Sequence, residues 1–288
     1  MTAILGIHGF PGVLLCSDSE ETIGGYSKRS VGKIVDFRND AFHFAIGAAG
    51  AGHYADMLTE EMLRKLYQLP LFSSHAISSV LSQILLDFHQ KHVWPRCNAD
   101  SMANAAVEFI VVAQPLPSGE VEIFHTCETS VLRLGAECDG PGNTYVSIGI
   151  GKHLADYILG RIYESSGGEE HLLATGIFTI TQVIENIAEV GKEPFMILFR
   201  HDGTRRIVDP TFIAEMSRYL TECAERHKQL FQYLTDAGDT ERTFFKFEEL
   251  AKSIYNLREQ GNQAAKVNQE KDRVFQEWLK RSNRSLSS

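Results

Sequence analysis

Two short apolar runs open the chain, residues 2–7 and 13–17, and the Gly/Pro turn His8-Gly9-Phe10-Pro11-Gly12 joins them. Neither run alternates with polar residues, so the pattern predicts a β-hairpin covered on both faces. Residues 19–29 are polar, contain Gly24-Gly25 and read as a loop. Strand-like runs then follow at 33–37 and 41–46 around the turn signal Arg38-Asn39-Asp40, giving a second hairpin. Small residues from Gly47 to Gly52 lead into a helical spacing that carries Met57, Met62, Leu63 and Leu66. A second helix over 74–92 puts Ile77, Leu81, Ile84, Leu85 and Phe88 on one face.

Strand patterns return at 106–112 and 121–134, divided by the turn at 115–119, and again at 145–148. Helical spacings cover 152–164 and 172–190 with a break at Ser165-Ser166-Gly167-Gly168, and 195–200 is a strand that ends at His201-Asp202-Gly203. The order is strands, two helices, strands, two helices, strand. Such segregated runs predict antiparallel sheets with helices packed outside them, an α+β fold in which two sheets lie between two helical layers. A helix from 210 to 234 precedes the polar break Asp236-Ala237-Gly238-Asp239-Thr240, so a domain over 1–238 and an extension over 239–288 are expected. In the extension Phe247, Leu250, Ile254 and Leu257 recur at helical spacing, and residues 282–288 read as disordered.

Composition narrows the function classes. With 43% hydrophobic residues over 288 positions the chain can bury a large core. Its formal charge of -9 provides no basic footprint for nucleic acid. Five cysteines, Cys16, Cys97, Cys127, Cys138 and Cys223, are widely spaced without a C-x-x-C pair, which argues against a disulfide framework or a zinc ribbon and for reduced thiols in the cytoplasm. No apolar run approaches the ~20 residues that span a bilayer, and no export signal opens the chain, so no membrane partner is expected. No nucleotide loop is present: Gly47, Gly50 and Gly52 are in the wrong order for a dinucleotide fingerprint, and Gly149-Ile150-Gly151-Lys152-His153 lacks the leading glycine and the hydroxyl residue of a phosphate loop. No cofactor or metal is called for: His89, His92 and Cys97 have no fourth ligand at a zinc spacing and read as exposed helix residues.

Four features fall in a meaningful order: Thr2-Ala3-Ile4-Leu5-Gly6-Ile7 at the start, Ser17-Asp18-Ser19 with Thr22 and Gly24 after the hairpin, Lys33-Ile34, and Ala49-Gly50 entering a helix. Taken singly, Asp18 is a turn residue and Lys33 a solvated strand-start charge. Together they resemble the proteasome β-subunit family, including its simpler bacterial relatives, closely from 2 to about 60 and loosely to about 205. The resemblance implies the four-layer αββα sandwich of N-terminal nucleophile (Ntn) hydrolases. It also implies a threonine-type peptidase, with Thr2 exposed by removal of Met1.

The chemistry suits that residue. A hydroxyl needs a base, and the residue's own α-amine, with a pKa about 8, is one; the β-methyl restricts the rotamers that aim the oxygen. By resemblance Lys33, with Lys28 as the alternative lysine, sits beside Thr2, and Asp18 orients it. Gly50 supplies an oxyanion N–H, and Thr22 and Gly24 pair with an extended peptide. Two positions depart from the family pattern: Ile150 stands between Gly149 and Gly151 where a serine is usual, and Ile187 and Val190 stand for an Asp-x-x-Ser pair, with Asn186 or Glu189 as substitutes after a one-residue shift. Those departures keep two other readings in view, a catalytically silent structural subunit and an Ntn hydrolase of small amides. The expected partners are a peptide or amide substrate and copies of the chain in a homo-oligomeric ring, and a regulatory ATPase stays an open partner.

Overall fold

The computed structural model describes residues 2–23, 27–30, 32–96, 106–134, 144–235 and 240–286, and side chains are not described at 20–31 or over parts of the C-terminal helices. Two compact units divide the chain, residues 1–207 and 208–288.

The first unit is built on two five-stranded antiparallel sheets. In one, β2 (Gly12–Asp18) is central, flanked by β1 (Ala3–Gly9) and β11 (Pro194–Arg200), with β10 (Tyr145–Gly149) beyond β1 and β12 (Arg205–Ile207) beyond β11. The other runs β5 (Ile34–Arg38), β6 (Phe42–Gly50), β7 (Val107–Pro115), β8 (Glu122–Cys127) and β9 (Ser130–Leu134). Every residue of β1 and β2 is buried, because one face of the hairpin meets the second sheet and the other meets helices. That double cover explains the missing alternation in the sequence.

Between the sheets lie Ile4, Val13 and Leu15 from the first hairpin against Ala45, Ala49, Ile110, Val112 and Ile123. Outside the second sheet, α1 (Gly52–Tyr67) and α2 (Ser74–Phe88) bury Leu58, Met62, Ile77, Leu81 and Phe88 against Phe44, Phe109 and Phe124. Outside the first sheet are α3 (Lys152–Ile162) and α4 (Glu169–Asn186). Gly176 of α4 packs so tightly that a Cβ there would meet Leu14 Cδ2 at 2.4 Å, so a bare backbone surface lets this helix lie on β2. Helices, sheet, sheet and helices make the expected four layers.

Three local expectations are revised. The polar stretch after Asp18 forms a separate two-stranded sheet, β3 (Glu20–Ile23) and β4 (Ser27–Ser30), with Thr22 opposite Lys28; a backbone ladder needs no apolar face, so the composition did not reveal it. The run 121–134 is two strands, because Glu128 adopts a left-handed conformation (φ 54°) and reverses the chain with no Gly, Asn or Pro to announce the turn. His89 and His92 are half-buried. They sit in a π-helical turn after α2 that stacks His92 on Phe88 and places His89 near Trp94, so apolar packing accounts for them; Cys97 lies outside the described residues.

The second unit pairs α5 (Pro210–Thr235) with α6 (Thr240–Leu286). Asp209 caps the start of α5, accepting from the Thr211 N–H at 2.8 Å. Leu250, Leu257, Ala265 and Asn268 form the buried stripe of α6. The helix reaches Leu286 and so takes in most of the stretch expected to be disordered, since propagation adds residues cheaply once a helix is nucleated.

Candidate active site

Strand direction gathers the predicted residues at one end of the sandwich. Thr2 precedes β1 and Asp18 ends β2, so the antiparallel hairpin brings them together; Lys33 precedes β5 and Gly50 ends β6 by the same logic on the facing sheet. The two ends meet at Asp18.

Asp18 is fully buried and works as a hub. Its Oδ2 accepts from Lys33 Nζ at 2.6 Å and from the Gly191 N–H at 2.8 Å, and its Oδ1 accepts from the Ala3 N–H at 2.8 Å. The Lys33 side chain is only 6% exposed. A buried carboxylate is tolerable when an opposite charge and backbone donors replace its water, and both are present here. The bond to Ala3 fixes the residue that follows Thr2, which places the N-terminal segment beside the lysine.

A second clamp comes from the loop after β10. The Ile150 N–H donates to the Thr2 carbonyl at 2.9 Å. Gly149 has φ +87°, and a Cβ there would lie 2.1 Å from Thr2 O and 3.4 Å from Ala49 Cβ, so the Thr2 backbone and the end of β6 share one wall. Gly50 has φ +123° and would put a Cβ 2.1 Å from Ala106 O, a conformation and a space that only glycine satisfies. Ile150 itself is 43% exposed beside this wall.

No protein-family model and no curated protein matches the sequence. Solved structures do match by fold. Anbu (ancestral beta-subunit) from Yersinia bercovieri superposes with a TM-score of 0.65 at 11% identity over 83% of this chain and 99% of that one. An Anbu (Gly-1) mutant from Hyphomicrobium sp. strain MC1 gives 0.64 at 12% identity over 81% and 100%, and the Anbu complex from Pseudomonas aeruginosa, described as a helical assembly, gives 0.62 at 13% over 83% and 99%. The fold is the Ntn-hydrolase sandwich.

This finding corrects the family reading. The structures that match are Anbu proteins, a proteasome-like but distinct family, and at such low identity they share a fold with this chain and nothing finer. The N-terminal motifs misled because they are short and sit where strand ends and a helix start meet, so they follow the layout of the sandwich and do not single out one family.

Within the Ntn sandwich, Thr2, Asp18 and Lys33 come together, and Gly50 lies on the adjoining rim. Thr22 sits in β3, and Gly24 lies outside the described residues, as do the side chains of Thr22 and Lys28. The substitutes for the absent Asp-x-x-Ser are elsewhere: Asn186 and Glu189 are exposed, and the Asn186 amide donates to Gln182 O at 2.8 Å. From the same loop it is the Gly191 N–H that reaches the site, donating to Asp18. Sequence reading missed that donor, along with the N–H groups of Ala3 and Ile150, because a backbone donor leaves no mark in residue type. Cys16, the other nucleophilic type near Asp18, is fully buried, and burial raises its thiol pKa, so it stays protonated and inert.

Among the described residues no helix is long and apolar enough to cross a membrane.

Proposed function

We propose that this protein is a threonine-type amide hydrolase that uses Thr2 as its nucleophile once Met1 is removed. The observation that carries the proposal is the Asp18 hub, which holds Lys33 at 2.6 Å and the backbone of Ala3 at 2.8 Å and so sets an ammonium beside the residue that would become the N-terminus.

The Thr2 Oγ1 attacks the amide carbon while its proton passes to the free α-amine, which the nearby Lys33 charge biases toward the neutral, basic form. The Gly50 N–H stabilises the oxyanion, and the missing side chain there lets the carbonyl approach. The C–N bond then breaks as the ammonium returns the proton to the leaving nitrogen, and an ester remains on Thr2. Water, deprotonated by the same amine, hydrolyses that ester and restores the enzyme. An extended peptide pairing with the backbone near Thr22 is the substrate geometry that fits a cleft walled by strand ends. Assembly from copies of the chain is part of the proposal, in keeping with the helical assembly named for the Pseudomonas aeruginosa neighbour.

The exposed Ile150 favours one other reading, a silent subunit of such an assembly, because an apolar side chain cannot bond the amine. Protein purified from its native host separates the two. The proposal expects an intact mass lacking Met1 and hydrolysis of fluorogenic peptides that falls roughly a thousandfold or more in Thr2→Ala. A retained Met1, or equal hydrolysis by Thr2→Ala, contradicts it; activity on small amides alone replaces the peptide substrate and keeps the nucleophile.

A further inference from the structure

Ser17 lies next to Asp18 in β2 but faces the other way. It shares the parity of Val13 and Leu15, which point between the sheets, and it pairs with Ile4 on one side and Phe195 on the other. Its residue is fully buried, and its Oγ has no hydrogen-bond partner among the described residues. A buried hydroxyl without a partner destabilises a fold, and valine or alanine would suit the surrounding apolar layer better. Its position indicates what it is for. Thr2 lies two residues before Ile4, the partner of Ser17, and its carbonyl accepts from the Ile150 N–H one step beyond the Ala3–Gly149 pair. Extended backbone continued through it gives Thr2 the parity of Ile4 and makes it a diagonal neighbour of Ser17, a placement with Cβ atoms roughly 7–8 Å apart or somewhat less. That gap is too long for a direct bond and fits one water.

We infer that Ser17 is a positioning residue for Thr2: its hydroxyl donates to a water that in turn contacts the hydroxyl and the freed α-amine of Thr2. The inference rests on Thr2 being the nucleophile. It deepens that reading by naming the polar group that compensates for Ile150, whose backbone holds Thr2 but whose side chain offers no hydrogen bond. The water accepts from Thr2 Oγ1–H and from Ser17 Oγ–H and donates to the neutral amine. During attack the Oγ1 proton passes into the water as one of the water's protons passes to the amine, and Ser17 keeps its own. Because the water donates to the neutral amine, Ser17 favours the deprotonated base, so losing it moves the amine's titration to higher pH.

The test is the rate of covalent labelling by a peptide epoxyketone, measured across pH for the full-length, Met1-free protein and for Ser17→Ala, Ser17→Thr and Thr2→Ala. Ser17→Ala is expected to lower the maximal labelling rate about tenfold or more and leave the half-saturating reagent concentration within twofold. Its pH midpoint should rise by about half a unit, and its melting temperature should stay the same or increase, because the lost hydroxyl bonds no protein group among the described residues and leaves an apolar side chain in an apolar layer. Ser17→Thr keeps the hydroxyl and should recover to within about threefold of the wild type. Wild-type rate and pH midpoint in Ser17→Ala overturn the inference. So does a loss of rate accompanied by a lower melting temperature with the pH midpoint unchanged, which marks a purely structural role. Failure of the wild type to label at Thr2 overturns the nucleophile assignment itself.

Discussion

Asp18 and Lys33 meet at 2.6 Å although they belong to different sheets, one at the end of β2 and the other just before β5. The contact fastens the two sheets together at the end where Thr2 begins, and it is shielded from water, with the two side chains 0% and 6% exposed.

Breaking that pair therefore costs stability as well as chemistry. Asp18→Ala leaves a buried ammonium without its carboxylate and removes the acceptor for the Ala3 and Gly191 N–H groups; a loss of about 3–5 kcal/mol is expected in denaturant titration. Lys33→Ala leaves Asp18 its backbone donors and should cost less. The double variant should fall short of the sum of the two. Equal and additive losses would show that the pair is not coupled.

Gly50→Ala forces a Cβ toward Ala106 O in a left-handed backbone region, so about 1–3 kcal/mol of destabilisation or more is expected together with loss of amide hydrolysis. Gly32→Ala is the control, since a Cβ there meets nothing within 4 Å. Melting temperatures of the two variants check this directly, and a Gly50→Ala protein as stable as Gly32→Ala would refute it.

The far edge of the sandwich carries a pH-sensitive clip. His43 lies within hydrogen-bonding range of Asp36 at 3.4 Å and of Arg205 at 3.3 Å, and Arg205 pairs with Asp36 across the two sheets. Burial first, and the Arg38 charge second, lower the His43 pKa to about 4. The unfolded histidine titrates near 6.5, so between these values the unfolded chain binds more protons and stability falls as pH drops. Up to about 3 kcal/mol should disappear between pH 6.5 and 4. His43→Gln should flatten that part of the stability profile, as chemical denaturation at pH 4.5 and 6.5 would reveal.

Ile150 grips Thr2 through its N–H, which any residue but proline supplies. Ile150→Ser should thus leave the labelling rate of Thr2 within about threefold. A tenfold change in either direction would give the side chain a role it lacks in this account.

Most of the sandwich was legible from the sequence because its signals are periodic. The buried face of α2 matches the spacing of Ile77, Leu81, Ile84, Leu85 and Phe88, and the unalternating β1–β2 hairpin proved to be covered on both faces. The β8–β9 reversal escaped because Glu128 turns without a turn residue, and β12 escaped because three residues, Arg205–Ile207, carry no period. The break at 236–240 separates α5 from α6, whereas the compact units divide after Ile207, where no change in composition marks the chain. In the site, side-chain partners could be proposed from spacing, but the N–H groups of Ala3, Ile150 and Gly191 and the orientation of Ser17 required the register of β1 with β2 and β10.

The central claim is that Thr2, with its own amine as base, forms a covalent acyl-enzyme. Intact-mass analysis after treatment of the Met1-free protein with an N-terminal-threonine-directed electrophile tests it most directly. The account predicts one adduct per chain, mapped by peptide sequencing to Thr2 and absent from Thr2→Ala; an unmodified protein, or an adduct that persists in Thr2→Ala, would contradict it.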